Sequence, residues 1–182
     1  MKKKNLPLIL GILLILSSLC LLFGHQIWLR TAAQKSARVA GQLEALLPER
    51  TQGAPMGADL PALSLEGTDY CALLEAGGQL FPVAASWSRF SVTPGRFSGG
   101  LTQAPLVIGG NARQFAFCSR LDLGDRVTLT DMTGAQYTFS VSRVDRAAKA
   151  AADWLQQPGW ELVLFCRDSA TLEYIAVRCL LQ

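Results

Sequence analysis

Two apolar runs joined by a short polar loop constrain this chain more than any other stretch. Residues 160–179 read WELVLFCRDSATLEYIAVRC. In WELVLFC the apolar residues occupy both alternating positions, as in a strand covered on both faces. YIAVRCLL is a second run of the same kind, and Ser169, Ala170 and Thr171 fall between them where a turn belongs. A pair of doubly covered strands needs a sheet around it, so the segments before it should supply strands.

Composition narrows the chemistry. The chain has one histidine, His25, at the end of an apolar N-terminal run. Nucleophile activation by an imidazole, whether Ser-His-Asp or Cys-His, therefore has no source in the C-terminal part. The net charge of +3 is unevenly spread. Residues 1–50 hold seven Lys/Arg against two Asp/Glu, and residues 51–182 hold ten against twelve. The folded part is slightly acidic, which speaks against a nucleic-acid partner. Five cysteines stand at 20, 71, 118, 166 and 179 without a C-x-x-C pair. No metal site or cofactor is implied, and the thiols read as small core hydrophobes.

In order, residues 1–5 (MKKKN) form a basic tail. Leu6 to Phe23 carries no charge, and the uncharged stretch runs on to Leu29. That length suits a membrane-crossing helix of about 20 residues. The preceding lysines place the N-terminus in the cytoplasm and the rest outside. No small-x-small cleavage site follows the run, so residues 6–29 are expected as an uncleaved anchor. Residues 30–50 show apolar spacings of three and four and are expected as a helical stalk ending near Pro48. Residues 51–68, with Gly, Pro and Ser and little periodicity, read as a linker.

The domain is expected over residues 69–182. YCALLEA and QLFPVAA flank Gly77-Gly78 as a hairpin, with Pro82 calling for an edge or a bulge. Residues 87–100 read as mostly irregular, and PLVIGG as a buried strand. RVTLTD and AQYTFSVSRVD form a hairpin around Met132-Thr133-Gly134. Residues 147–155 are expected as a short helix stopped by Pro158-Gly159. Strands at short intervals with one small helix give a mainly β class, a barrel or sandwich.

The final stretch resembles the signature of sortases, the membrane-anchored cysteine transpeptidases of Gram-positive bacteria, in its class B-like, clostridial form: Trp-Asp-Leu-Thr-Leu-Phe-Thr-Cys-Thr and, further on, Val-Thr-Val-Arg-Cys. Without a gap, Trp160, Leu162, Leu164, Phe165, Val177, Arg178 and Cys179 match. Earlier pieces are similar in the same order. Pro94, Arg96, Phe97, Ser98 and Gly99 resemble Pro-Cys-Arg-Tyr-Ser-Gly. Leu106-Val107-Ile108 and Gly110 resemble Leu-Val-Ile-Ala-Gly-His-Asn. Gly124-Asp125, Val127 and Thr130 to Gly134 resemble Gly-Asp-x-Val-x-Phe-Thr-Asp-Met-Asp-Gly. The resemblance implies an eight-stranded β-barrel with short helices behind the anchor and stalk.

It also implies where catalysis would sit, and there the sequence departs from the family. The family's His position holds Asn111, its Cys position Arg167 and its catalytic Arg position Tyr174. Asn shuttles no proton near neutrality, Arg is no nucleophile, and Tyr offers a neutral donor. Cys166, one residue before the Cys position, is the fallback nucleophile. Strand alternation sends it to the face opposite Arg167 unless a bulge intervenes. The expectation is a degenerate sortase-like protein of the cell membrane, extracytoplasmic, that binds a sorting-signal peptide, a pilin-like protein or another sortase. Asn111, Arg167, Tyr174 and Arg178 are its candidate binding residues. The alternative is an active, divergent cysteine transpeptidase or hydrolase working through Cys166.

Overall fold

The computed structural model describes residues 6–53, 60–88, 91, 93–101 and 104–182, with backbone alone at 6–10, 19–33 and 104. Two units divide at residues 35 and 36. Helix α1, Leu6–Leu46, supplies all of the described first unit and the opening of the second. The anchor expected over residues 6–29 falls mainly outside the residues whose side chains are described. Among those described, Ile12, Leu13, Leu14, Ile15 and Leu16 are 51–63% exposed. Among the described residues no helix is long and apolar enough to cross a membrane.

The second unit is a closed barrel. β3 (Thr68–Ala76) and β4 (Gln79–Ala84) form the first hairpin, and β5 (Gly95–Gly100) and β6 (Ala104–Gly109) the second. β7 (Arg126–Asp131) and β8 (Ala135–Ala147) form a third, and β9 (Leu162–Arg167) and β10 (Tyr174–Leu181) a fourth. The order β3-β4-β5-β6-β9-β10-β8-β7 returns to β3, so eight strands close on themselves. Closure removes the exposed edges that an open sheet must protect.

Local chemistry accounts for the turns. Gly77 and Gly78 have φ of 58° and 73°, as a two-residue hairpin turn requires, and both are free of the Cβ penalty. At the β7–β8 turn the Asp131 carboxylate accepts from the amides of Thr133 (2.8 Å) and Ala135 (3.0 Å), which fixes the turn from inside. Pro82 lies on β4, which pairs with β3 along its length but with β5 only at Ala84 and Gly95. The missing Pro N–H thus faces the one sparse seam of the barrel.

The interior holds Leu74, Ile108, Phe115, Leu129, Tyr137, Phe139, Leu164 and Val177, with the thiols of Cys71, Cys118, Cys166 and Cys179. A second cluster joins the end of α1, through Val39, Ala40 and Leu43, to Tyr70 and Leu73 on the outer face of β3. A third covers the outer face of β6, β9 and β10 with Leu155 and partly buried Trp87, Phe97, Trp154 and Trp160. β9 and β10 are thus covered on both faces, as their unbroken apolar runs imply.

Four expectations change. The segment read as a linker contributes β1 (Thr51–Gln52), parallel to β8, and β2 (Leu63–Leu65), antiparallel to β3. Residues 54–59 between them lie outside the described set. The stretch read as irregular contains β5, a strand made by its ladder to β6 despite three glycines, with register shifts on either side of Ser98. The helix expected over residues 147–155 shrinks to α2, Ala152–Leu155. Ala147 is taken by the ladder opposite Tyr174, where tertiary pairing overrides alanine's helix preference. Arg178 is the fourth, and it belongs with the site.

Candidate functional site

Strand register brings the three family positions together. β6 and β9 run parallel, with Gly109 opposite Phe165, and the Gly110 amide donates to the Phe165 carbonyl at 2.9 Å. Asn111 lies two residues beyond Gly109, and Arg167 two beyond Phe165. β9 and β10 run antiparallel, with Arg167 opposite Tyr174. Arg167 and Tyr174 are therefore partners on one rung, and Asn111 follows β6 just past the end of its ladder with β9.

Each is held differently. Asn111 opens a tight turn: it is exposed, and its Oδ1 accepts from the amides of Arg113 (3.1 Å) and Gln114 (3.0 Å). Arg167 is exposed, and its Nε donates to the Leu172 carbonyl at 3.1 Å. Leu172 has φ of 61°, rare for a leucine, and closes the β9–β10 loop with its amide on the Asp168 carbonyl at 3.0 Å. Asp168 is fixed by the Ala170 amide (2.9 Å) and Arg146 Nη1 (3.0 Å). These two, the amide first, hold its carboxyl below the usual carboxylate range. Tyr174 packs against the aromatic cluster on the outer face.

That cluster floors the site. Trp87, Phe97 and Phe165 meet with centroids 5.2–5.7 Å apart. Gly109 lets them close: a Cβ there would lie 2.5 Å from Trp87 Nε1 and 2.7 Å from Phe165 Cζ. Arg167 and Tyr174 thus stand beside an aromatic floor, with Asn111 in the turn that follows β6. Asn111, Arg167 and Tyr174 include neither an imidazole nor a thiol.

Cys166, the fallback nucleophile, points the other way. The β9–β10 ladder runs without a bulge from Leu162 to Arg167, so alternation holds. Cys166 is 2% exposed inside the barrel, and its thiol donates to the Phe115 carbonyl at 3.5 Å. Interaction with the neighbouring Cys118 lowers the Cys166 pKa against the opposing effect of burial. Cys118 itself is pushed well up, chiefly by burial.

Arg178, expected among the binding residues, is enclosed. It is 0% exposed, with Nε on Asp145 Oδ2 and Nη2 on the Trp154 carbonyl, both at 2.6 Å. Its guanidinium carbon lies 5.7 Å from the Trp154 ring and 5.9 Å from the Trp160 ring. It shares a strand face with Tyr174, but α2 roofs it and leaves it no exposed surface, so its bonds clamp the helix to the barrel. Sequence reasoning missed its partner Asp145, the Trp87–Phe97–Phe165 floor and the Cys118–Cys166 interaction. Each joins distant segments, and only the Arg-rich alternation of β8 hinted at any of them. Among the described residues, no group of three or more His, Cys, Asp or Glu side chains is placed to hold a metal ion.

No protein-family model matches the chain, and no curated protein does. Solved structures do. A Clostridium perfringens sortase D5 transpeptidase superposes with a TM-score of 0.53 at 17% identity, covering 63% of this chain and 79% of that one. Sortase C1 from Streptococcus agalactiae gives 0.56 at 16%, covering 65% and 70%. A lid mutant of sortase A from Corynebacterium diphtheriae gives 0.52 at 13%, covering 61% and 69%. At these identities the likeness is one of fold, and the class B-like assignment stays a reading of the signature. The protein carries a sortase-like eight-stranded β-barrel.

Proposed function

We propose that this protein is a membrane-anchored, extracytoplasmic sortase-like protein that binds an extended peptide or a partner protein at the cell envelope and does not carry out transpeptidation. One observation carries the reading. The positions that hold His, Cys and Arg in the family signature fall here on Asn111, just past the end of β6, on Arg167 and Tyr174, which pair across β9 and β10, while Cys166 faces the interior. Donors beside an aromatic floor suit recognition of backbone carbonyls or a carboxylate by hydrogen bonding, with Arg167 the one fixed cation among them. The uncharged stretch from Leu6 to Leu29 and the exposed run Ile12–Leu16 support an anchor. Sorting-signal peptides, pilin-like proteins and other sortases are the partner classes that the resemblance implies.

A second reading, an active divergent cysteine transpeptidase or hydrolase, draws on the lowered pKa of Cys166. Incubating the full chain with sorting-signal peptides, with and without Cys166→Ala, separates the two by mass spectrometry. We expect neither cleavage nor a covalent adduct. Thiol-dependent cleavage lost in Cys166→Ala would overturn the binding reading. Binding itself is tested with Arg167→Glu, which should weaken peptide capture by tenfold or so, the loss of one charge-assisted bond. Unchanged capture would remove Arg167 from the site.

A further inference from the structure

The Arg167 guanidinium is held at one edge and open at the other. Its Nε donates to the Leu172 carbonyl at 3.1 Å, and among the described residues Nη1 and Nη2 have no partner. Leu172 is itself fixed. Its amide donates to the Asp168 carbonyl at 3.0 Å, and the Asp168 amide donates to the Glu173 carbonyl at 2.7 Å. The Asp168 carboxylate accepts from the Ala170 amide at 2.9 Å and from Arg146 Nη1 at 3.0 Å. Arg146 comes from β8, opposite Ile175 on β10. A chain of bonds thus runs from Arg146 through Asp168 and Leu172 to Arg167. It keeps Leu172 at a φ of 61°, which a leucine rarely adopts, with 60% of the residue exposed. With the side chain largely in solvent, what this conformation secures is the bond between the Leu172 carbonyl and Arg167.

We propose that Arg167 takes a single carboxylate on its free Nη1–Nη2 edge and that Arg146 is its positioning residue. The inference rests on the binding reading above and narrows it to one ligand chemistry. Two parallel N–H groups match the two oxygens of a carboxylate, whereas a backbone carbonyl offers one oxygen. Charge agrees with this. Arg146 balances Asp168, so Arg167 is left without a counter-charge among the described residues. Phosphate fits less well, because the amides of Ala170, Leu172 and Glu173 all bond within the loop and leave no nest for it. Tyr174, opposite Arg167 on the same rung, adds a hydroxyl with no partner among the described residues. The carboxylate is either a peptide's C-terminus or an Asp or Glu side chain.

The test uses the full chain, isotopically labelled, and a small set of probes: acetyl-trialanine with a free C-terminus, the same peptide as its C-terminal amide, and acetyl-Ala-Glu-Ala amide. Binding is read by NMR from the Arg167 Nε–H resonance, assigned with Arg167→Lys. At least one carboxylate probe should move that resonance and bind about tenfold tighter than the trialanine amide, as one charge-assisted bond allows. Preference for the free C-terminus or for the Glu peptide names the source. Arg167→Lys keeps the charge but loses the fork, and should erase the preference when binding is followed on the backbone amides of the loop. Arg146→Gln should reduce the preference about threefold by loosening Arg167, and Arg146→Lys should restore it. A fold merely weakened by Arg146→Gln would bind acid and amide probes less well alike, so the ratio separates positioning from stability. An unchanged ratio in Arg146→Gln would remove Arg146 from this role. Equal binding of acid and amide probes would overturn the carboxylate site and leave peptide binding intact. An Arg167 resonance that no probe moves would overturn it as well, while capture of sorting-signal peptides judges the binding reading separately.

Discussion

Removing Asp145 should destabilise the protein more than removing the arginine it pairs with. Arg178 has no exposed surface, and its charge is balanced by one carboxylate, Asp145, 2.6 Å from Nε. In Asp145→Ala the guanidinium keeps the Trp154 carbonyl and the two indole faces but loses its counter-charge. Breaking a buried pair in this way costs about 3–5 kcal/mol. In Arg178→Met the charge leaves with the side chain, and a flexible thioether fills the slot between the rings. Asp145 is 15% exposed and keeps its bond from Arg143 Nε, so it is not stranded. The loss is then the interactions alone, about 1–2 kcal/mol. Asp145→Ala also frees Arg143, but at 62% exposure that ion pair adds little. The double variant should fall close to Arg178→Met, because it removes the stranded charge. Urea denaturation of the full chain, with unchanged m-values, reads all three. If Arg178→Met costs as much as Asp145→Ala, or both cost under about 1 kcal/mol, the clamp is not the buried ion pair described.

Gly109→Ala should cost about 1–3 kcal/mol and shift tryptophan emission, since its Cβ would press on Trp87 and Phe165. A wild-type emission spectrum and stability would show that the aromatic floor yields easily. Cys71, Cys118, Cys166 and Cys179 should resist alkylation at pH 8 until the chain is denatured. All four are buried, and burial raises Cys71 to about 11 and Cys179 to about 12; rapid native labelling of Cys166 would contradict its interior placement. The depressed Asp168 carboxyl gives the β9–β10 loop a pH dependence of known sign. Its contribution is complete above the unfolded value near pH 4 and fades as pH falls through the lower folded value. Asp168 should therefore titrate below 3.8 by NMR, and a midpoint at or above that value would refute the assignment.

The barrel was legible where one residue type dictates one backbone state. The Gly77-Gly78 turn and the Asp131-to-Gly134 turn announce their hairpins, and the doubly apolar runs announce β9 and β10. The Cys166 and Arg167 faces followed from alternation alone, because the strand has no bulge. What escaped depends on long-range pairing. Gly95–Gly100 has glycines where a strand prefers β-branched residues, and only β6 makes it a strand. Leu63–Leu65 is too short for a period to show, and β3 recruits it. Arg178 stood among the candidate binding residues because it matches the Arg of the Val-Thr-Val-Arg-Cys signature beside the site. The partner that makes its burial tolerable, Asp145, is 33 residues away in sequence and visible only across the β8–β10 ladder.

The strand order has a consequence for how the chain reaches its fold. β10 lies between β8 and β9, yet every other described strand precedes it in sequence. Until Tyr174–Leu181 emerges, both of its neighbours expose an unpaired edge, and the apolar interior of the sheet stays open to water. No partial barrel can be sealed as the chain is made. Closure waits for β10 and draws on its ladders to β8 and β9 at once, and the nascent chain needs protection from edge-to-edge aggregation until then.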